Sequence, residues 1–242
     1  MADTFNLLKK IALKKVDQLK ESASKGWADR IDKNLPMGVR IGGMVEIPQI
    51  DFVLGGDALK VKYPGTSSVV LSYGTFPVGG SVVHRFYLDG EDKVYVWQLV
   101  TDTKQVLEEC KLFMPYDEVY PEDWDFWLSP TDGYIGLSAF QLKDGTQYVR
   151  VWDDEAAETV LQEDESGNRL TRIPPVQFME KVFLDPYGQT TEMVKYDSML
   201  YGRQVNENVA EYLLVSAVNE KDGASVQIMV GIELQPTSVN VI

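Results

Sequence analysis

The sequence predicts a mainly β protein of the α+β class: an antiparallel β-sandwich or barrel-like body preceded by an N-terminal amphipathic helix. Three observations carry this. From about Val39 onward the apolar residues alternate with a period of two. The alternating runs are short and rich in β-branched and aromatic residues. Turn dipeptides such as GG, DG and PG separate them.

The helix comes first. In residues 4–24, "TFNLLKKIALKKVDQLKESAS", the side chains of Phe5, Leu8, Ile11, Ala12, Val16 and Leu19 recur at i, i+3, i+4 spacing. At about 100° per residue they fall in an arc roughly 140° wide. Thr4 or Asp3 can cap the start and Gly26 can end it. The connector "KGWADRIDKNLPMG" follows, so residues 1–34 are read as helix and connector and 35–242 as a single β-rich domain.

Within that domain the strand candidates are "VRIGGMVEI", "SSVVLSY", "SVVHRFYL", "KVYVWQLV", "QYVRVW", "VQFMEKVFL", "AEYLLVSAV" and "ASVQIMVGIEL". "QLKDGTQYVRVW" and "LLVSAVNEKDGASVQIMV" each read as a hairpin closed by Asp-Gly. "DWDFWL" (123–128) reads as one helical turn. The acidic stretch 153–168 reads as a solvated excursion or a short helix. Ten or more strands on this plan close as a sandwich or a barrel.

Charge divides the chain. The total is −14, yet residues 1–25 hold six lysines against three acids, a local +3, so the remaining residues carry −17. An acidic body repels phosphate backbones, and no nucleic-acid partner is expected. There is no apolar run of about 18 residues, and the opening residues lack the pattern of a secretory signal. A single cysteine, Cys110, suits a reducing compartment. The expected location is cytoplasmic.

The residue inventory narrows the chemistry. One histidine and one cysteine cannot assemble a four-ligand Cys/His zinc site, and neither a calcium loop nor a phosphate-binding glycine motif is present. No metal or cofactor is expected. In "SVVHRFYLDGED" the alternation puts His84 with Phe86 and Leu88 on one strand face, and Val83, Arg85 and Tyr87 on the other. A strand histidine among large apolar residues reads as a structural group bonded to a carbonyl or carboxylate. Arg85 is expected to pair with a carboxylate and so fix strand register. Gly42 and Gly43 read as a bulge or a close backbone approach.

Two acidic clusters remain. "YDEVYPEDWDFW" interleaves Asp117, Glu118, Glu122, Asp123 and Asp125 with aromatic residues, and "VWDDEA" carries Asp153 and Asp154. Trp124 and Trp127 are candidate interface anchors, because buried aromatics dominate many interfaces. The basic helix either covers its own domain, or is a candidate for docking on a helical partner or for weak contact with an anionic membrane surface through Phe5, Leu8, Lys9, Ile11, Lys14 and Lys15.

"LPMGVRIGGMVEI", "HRFYLDG", "KLFMPYDEVYP", "IGLSAFQLKDGTQYVRVW", "PPVQFMEKVF", "MLYGRQV", "EYLLVSA" and "VGIELQPTSVNVI", in that order, resemble the YjfK-like bacterial proteins of unknown function over about residues 35–242. The resemblance implies no catalytic residue. It implies a setting, a membrane-associated stress or envelope-maintenance module at the inner membrane. The implied partners are a phage-shock-type coiled-coil protein or a small membrane protein. The expected function is therefore that of a non-enzymatic accessory protein acting through a protein partner. The alternative is an enzyme or small-ligand binder using His84, Arg85, Asp117, Glu118 and Asp153 in the β body.

Overall fold

The computed structural model describes residues 11, 30–163, 167, 169–220 and 223–242. Along the chain run β1 (Met44–Glu46), α1 (Ile50–Gly55), β2 (Ser67–Val78), β3 (Ser81–Asp89), β4 (Val94–Thr101) and β5 (Leu107–Val119). Then come α2 (Asp125–Leu128), β6 (Ala139–Gln141), β7 (Gln147–Arg150), β8 (Thr159–Glu163), β9 (Arg169–Arg172) and β10 (Val176–Phe183). The chain finishes with β11 (Thr191–Asn206), β12 (Val209–Glu220), β13 (Gly223–Glu233) and β14 (Asn240–Val241).

Of the two architectures the sequence left open, the structure is the barrel. Eight antiparallel strands pair in the order β2-β3-β4-β5-β13-β12-β11-β10, and β10 pairs with β2 as well as with β11. Closure removes the unpaired strand edges that an open sheet exposes. It is incomplete along the length of the strands. β10 reaches β2 only through Lys181–Phe183 opposite Tyr73–Thr75. Past the start of β10, β11 pairs instead with β7, which pairs with β6, and the start of β2 pairs with β1, which pairs with β14.

Alternation sorts the side chains onto two faces, each with its own apolar cluster. Val83 and Tyr87 of β3 join Phe76, Phe178, Tyr196, Leu214 and Met229 in one. Phe86 and Leu88 join Trp97, Leu112, Leu213 and Val230 in the other. The first cluster is the barrel interior, because strands that are not neighbours meet there. The Arg85 guanidinium on β3 lies 4.9 Å from the Phe76 ring, 5.2 Å from Phe178 and 5.1 Å from Tyr196 on β11. The second cluster is the outer face. It is covered by the chain between residues 39 and 61, with Val39, Ile41, Ile47, Phe52 and Val61, and by Ile135, Phe140 and Tyr148 from further on. At roughly 1.5–3 kcal/mol for each large side chain removed from water, two such clusters stabilise the barrel wall from both sides.

Both hairpins expected from Asp-Gly turns are present, as β6–β7 and β12–β13, and "DWDFWL" contributes the single turn α2. Two stretches differ. "VRIGGMVEI" yields only the three-residue β1, because Gly42 takes a positive φ of 84° and residues 39–43 form a turn, not a bulged strand. Among the described residues of the acidic stretch 153–168 there is a short 3-10 helix, and the solvated segment after it is a strand. After a 3-10 turn at Glu155–Ala157 its residues enter the two-stranded β8–β9 hairpin. Acidic side chains are tolerated there because both faces of β8 are largely solvated.

Candidate functional site

The barrel interior holds the densest polar chemistry. On β3, Arg85 donates from Nη1 to Glu180 Oε2 at 2.9 Å and from Nε to Gln98 Oε1 at 3.1 Å. The second Glu180 oxygen accepts from the Tyr87 hydroxyl at 2.8 Å. Strand β10 aims Glu180 inward because it shares parity with Phe178 and Val182. Room for the carboxylate comes from β2. A Cβ at Gly74 would stand 1.8 Å from Glu180 Oε1, so only glycine fits. Burial works against the charge on Arg85, and the facing Glu180 works for it and wins, holding the guanidinium above its ordinary pKa. Burial pushes the phenols of Tyr87 and Tyr196 well above theirs.

Among the described residues little space is left beside this polar cluster. The remaining space beside Arg85, Tyr196, Ser216 and Gln227 admits the centre of a water over about 10 Å³, which is room for a single water. A drug-sized ligand needs some 300 Å³ or more. What the arrangement can do chemically is neutralise one arginine and fix where β10 sits.

The other residues nominated from the sequence are dispersed. His84 stays on the outer face, where Nδ1 bonds the Tyr73 hydroxyl at 2.8 Å and Nε2 the Thr101 hydroxyl at 3.2 Å. Its partners are thus hydroxyls, and not the carbonyl or carboxylate expected. Burial lowers its pKa, which keeps the imidazole neutral near pH 7. Burial likewise raises the phenol of Tyr73 to about 12, so it can orient the ring but cannot serve as the acid of a triad. Asp117 pairs with Lys143 at 2.8 Å, and Glu118 accepts from Ser225 at 2.7 Å and from Tyr120 at 2.9 Å. Asp153 pairs with Arg150 at 3.0 Å. None of these carboxylates contacts His84 or Arg85 among the described residues. Cys110 is buried, accepts from Trp97 Nε1 at 3.2 Å, and is pushed up by burial to about 11. Among the described residues no group of three or more His, Cys, Asp or Glu side chains could hold a metal.

The expected anchors Trp124 and Trp127 turn inward, half-buried against the outer-face cluster. Both residues between them reach solvent, and the aromatic one is Phe126, 57% exposed. Its ring stacks on Tyr134 at 5.4 Å and meets Trp127 edge-on at 5.4 Å. The loop carrying Tyr134 is pinned from beneath by Arg172 on β9, which donates to the carbonyls of Gly133 at 3.0 Å and Pro130 at 2.7 Å.

Of the basic helix, Phe5, Leu8, Lys9, Lys14 and Lys15 lie outside the described residues. Ile11 is described. It is 3% exposed and packs into the cluster that fills the barrel, so it faces its own domain and not a membrane or partner.

Sequence reading missed Glu180, Phe126 and one further buried acid, Glu211 on β12. Glu211 Oε1 accepts from the backbone N–H of Val61 at 3.0 Å and from that of Lys60. Its Oε2 accepts from Tyr148 at 2.8 Å and from Arg203 Nε at 2.9 Å. A signal for both acids is present in the sequence: each occupies the apolar parity of its strand, Phe178-Glu180-Val182 and Glu211-Leu213-Val215. Phe126 carries no such signal, since nothing local distinguishes it from the tryptophans beside it.

No helix among the described residues is long and apolar enough to cross a membrane. No curated protein and no solved structure matches the chain. One family model does match, over residues 12–240, and so takes in part of the basic segment that the YjfK-like resemblance left out. The match carries no support for the YjfK name itself. With a match across almost the whole chain, this protein belongs to the family described as Protein of unknown function (DUF2491).

Proposed function

We propose that the chain is an accessory interaction protein that works through its outer surface and not through a reaction in the barrel. One observation carries this reading: among the described residues the polar interior, where the alternative reading would need its pocket, is occupied by its own Arg85–Glu180 pair, with room beside it for about one water. The nominated acid, base and anion-binding groups lie on separate parts of the wall, each with its own partner. The net charge of −14 favours a basic partner. The YjfK-like resemblance supplies the proposed setting, the cytoplasmic face of the inner membrane, with a coiled-coil or small membrane protein as partner.

The test is isolation of the tagged full chain from its own cells at native abundance, followed by reciprocal capture of whatever co-purifies. The reading expects a defined stoichiometric complex, larger than the 27.3 kDa chain, that reforms from purified components. A chain recovered alone, whose melting point rises with a single small molecule, overturns it.

A further inference from the structure

We propose that the stacked Phe126–Tyr134 ledge, edged by Asp123, Asp125 and Asp132, docks an arginine-bearing extended segment of a partner protein. This inference rests on the reading of the chain as an interaction protein and names the surface and the chemistry that would meet it. Phe126 is an exposed aromatic on a turn of four residues, and water is a poor neighbour for it. Its ring is not loose. It stacks on Tyr134 with planes 24° apart and is braced edge-on by Trp127 at 85°. The backbone beneath is tied by Tyr134 N–H to Phe126 O at 2.9 Å and Ile135 N–H to Trp127 O at 3.1 Å. Arg172 clamps the same loop through two carbonyls. A face held this rigidly loses little conformational freedom when something lies on it.

The electrostatics select the occupant. Asp125 opens the turn that carries Phe126, and Asp123 accepts from the Asp125 N–H at 2.9 Å. Asp132 is fixed by the hydroxyls of Ser129 at 2.6 Å and Thr131 at 3.0 Å. None of these three carboxylates belongs to an ion pair among the described residues, whereas Asp117, Asp144 and Asp153 each do. Arg172 acts on Asp132 from beneath the loop without forming a salt bridge, and Asp123 and Asp125 have no salt-bridge partner among the described residues. A flat π face beside such carboxylates is complementary to a planar guanidinium, which can stack on the ring while its N–H groups reach the oxygens. An acidic or purely apolar segment would leave the carboxylates desolvated without compensation.

The experiment titrates the full chain by fluorescence anisotropy with two labelled decapeptides, one alternating Arg with Gly and Ser, the other with Glu in place of Arg. The arginine peptide should bind and the glutamate peptide should not. Phe126→Ala should weaken binding about two- to fivefold, the range of an exposed cation–π contact, and Phe126→Trp should restore it. Asp125→Asn with Asp132→Asn should weaken binding and flatten its salt dependence. Met179→Ser with Met193→Ser, exposed on the far outer face of β10 and β11, should change nothing. Circular dichroism confirms that every variant is folded. If arginine-peptide binding ignores Phe126 and the two aspartates, the ledge is overturned while the interaction reading stands. If the arginine peptide does not bind at low salt, the cationic occupant is overturned as well.

Discussion

Two buried Arg–Glu pairs hold this molecule together, and they do different jobs. Inside the barrel, Arg85 and Glu180 join strands that the sheet order separates by β2, and every other contact they make is with a strand side chain. Outside it, Arg203 and Glu211 sit directly opposite each other on β11 and β12, so the pair adds little to register. Glu211 Oε1 accepts from the backbone of residues 60 and 61, and Oε2 is shared between Arg203 and Tyr148 of β7. The inner pair specifies how the barrel closes. The outer pair specifies how the covering chain docks on it. Replacing a buried pair by apolar residues is often neutral, so specification, more than net stability, is the reason to keep one.

The largest effect should come from breaking the inner pair. Glu180→Ala leaves the Arg85 guanidinium buried without its carboxylate and the Tyr87 hydroxyl without its acceptor. It should cost about 3–5 kcal/mol, read by urea unfolding. Where the single variant fails to fold, Arg85→Met with Glu180→Leu keeps the comparison alive. If the pair acts through specification, the double variant folds close to wild-type stability. A double variant as damaged as the single one would mean that the charges themselves stabilise the barrel.

Next comes the outer pair. Glu211→Gln keeps the shape and one acceptor oxygen but loses the charge facing Arg203 and the two backbone N–H groups. A loss of about 1.5–3 kcal/mol is expected, the range for hydrogen bonds to a charged group. Its signature should be local. Amide exchange at residues 59–63 should rise more than exchange in β3 and β4, because only the covering chain loses its tether. Uniform acceleration across the barrel would contradict the division of labour drawn here. Tyr148→Phe removes one of the bonds to the same carboxylate and should cost about 1 kcal/mol. That loss should shrink when measured in the Glu211→Gln background, since the two changes share a partner.

The contrast between the pairs also explains what the sequence made legible. Period-two alternation exposed the strands, and it placed Arg85 opposite His84 correctly, because facing is a local property of a strand. Closure is not local. It depends on β10 finding β2 about a hundred residues away, through three residue pairs, and nothing in "VQFMEKVF" announces that. The same holds for the acidic stretch 153–168, whose β8–β9 hairpin is tethered through backbone pairing of Ser138 with Thr171 and of Leu137 with Arg172. The candidate surface was legible only as a segment. Composition pointed to the acidic segments 117–125 and 153–165 with Trp124 and Trp127 as anchors, but choosing Phe126 over its neighbours required knowing that both tryptophans lie against the outer-face cluster.

The smallest effect belongs to His84, and its sign can be worked out. Burial lowers its folded pKa below the ordinary value of 6.5, so the unfolded chain binds the proton more readily. The contribution of the neutral ring is fully present above that value and is lost as pH falls from there towards the lowered folded pKa. His84→Gln preserves one donor and one acceptor for the hydroxyls of Tyr73 and Thr101, and at pH 7.5 it should cost under about 1 kcal/mol. Stability curves of wild type and variant should therefore converge as the buffer is taken from pH 7 down through 6 to 5, because only the wild type has an imidazole to protonate. Both chains keep the same carboxylates, so their acid titration cancels in the difference. Curves that stay parallel would mean that the ring is protonated as easily in the fold as out of it, and that burial does not hold it neutral.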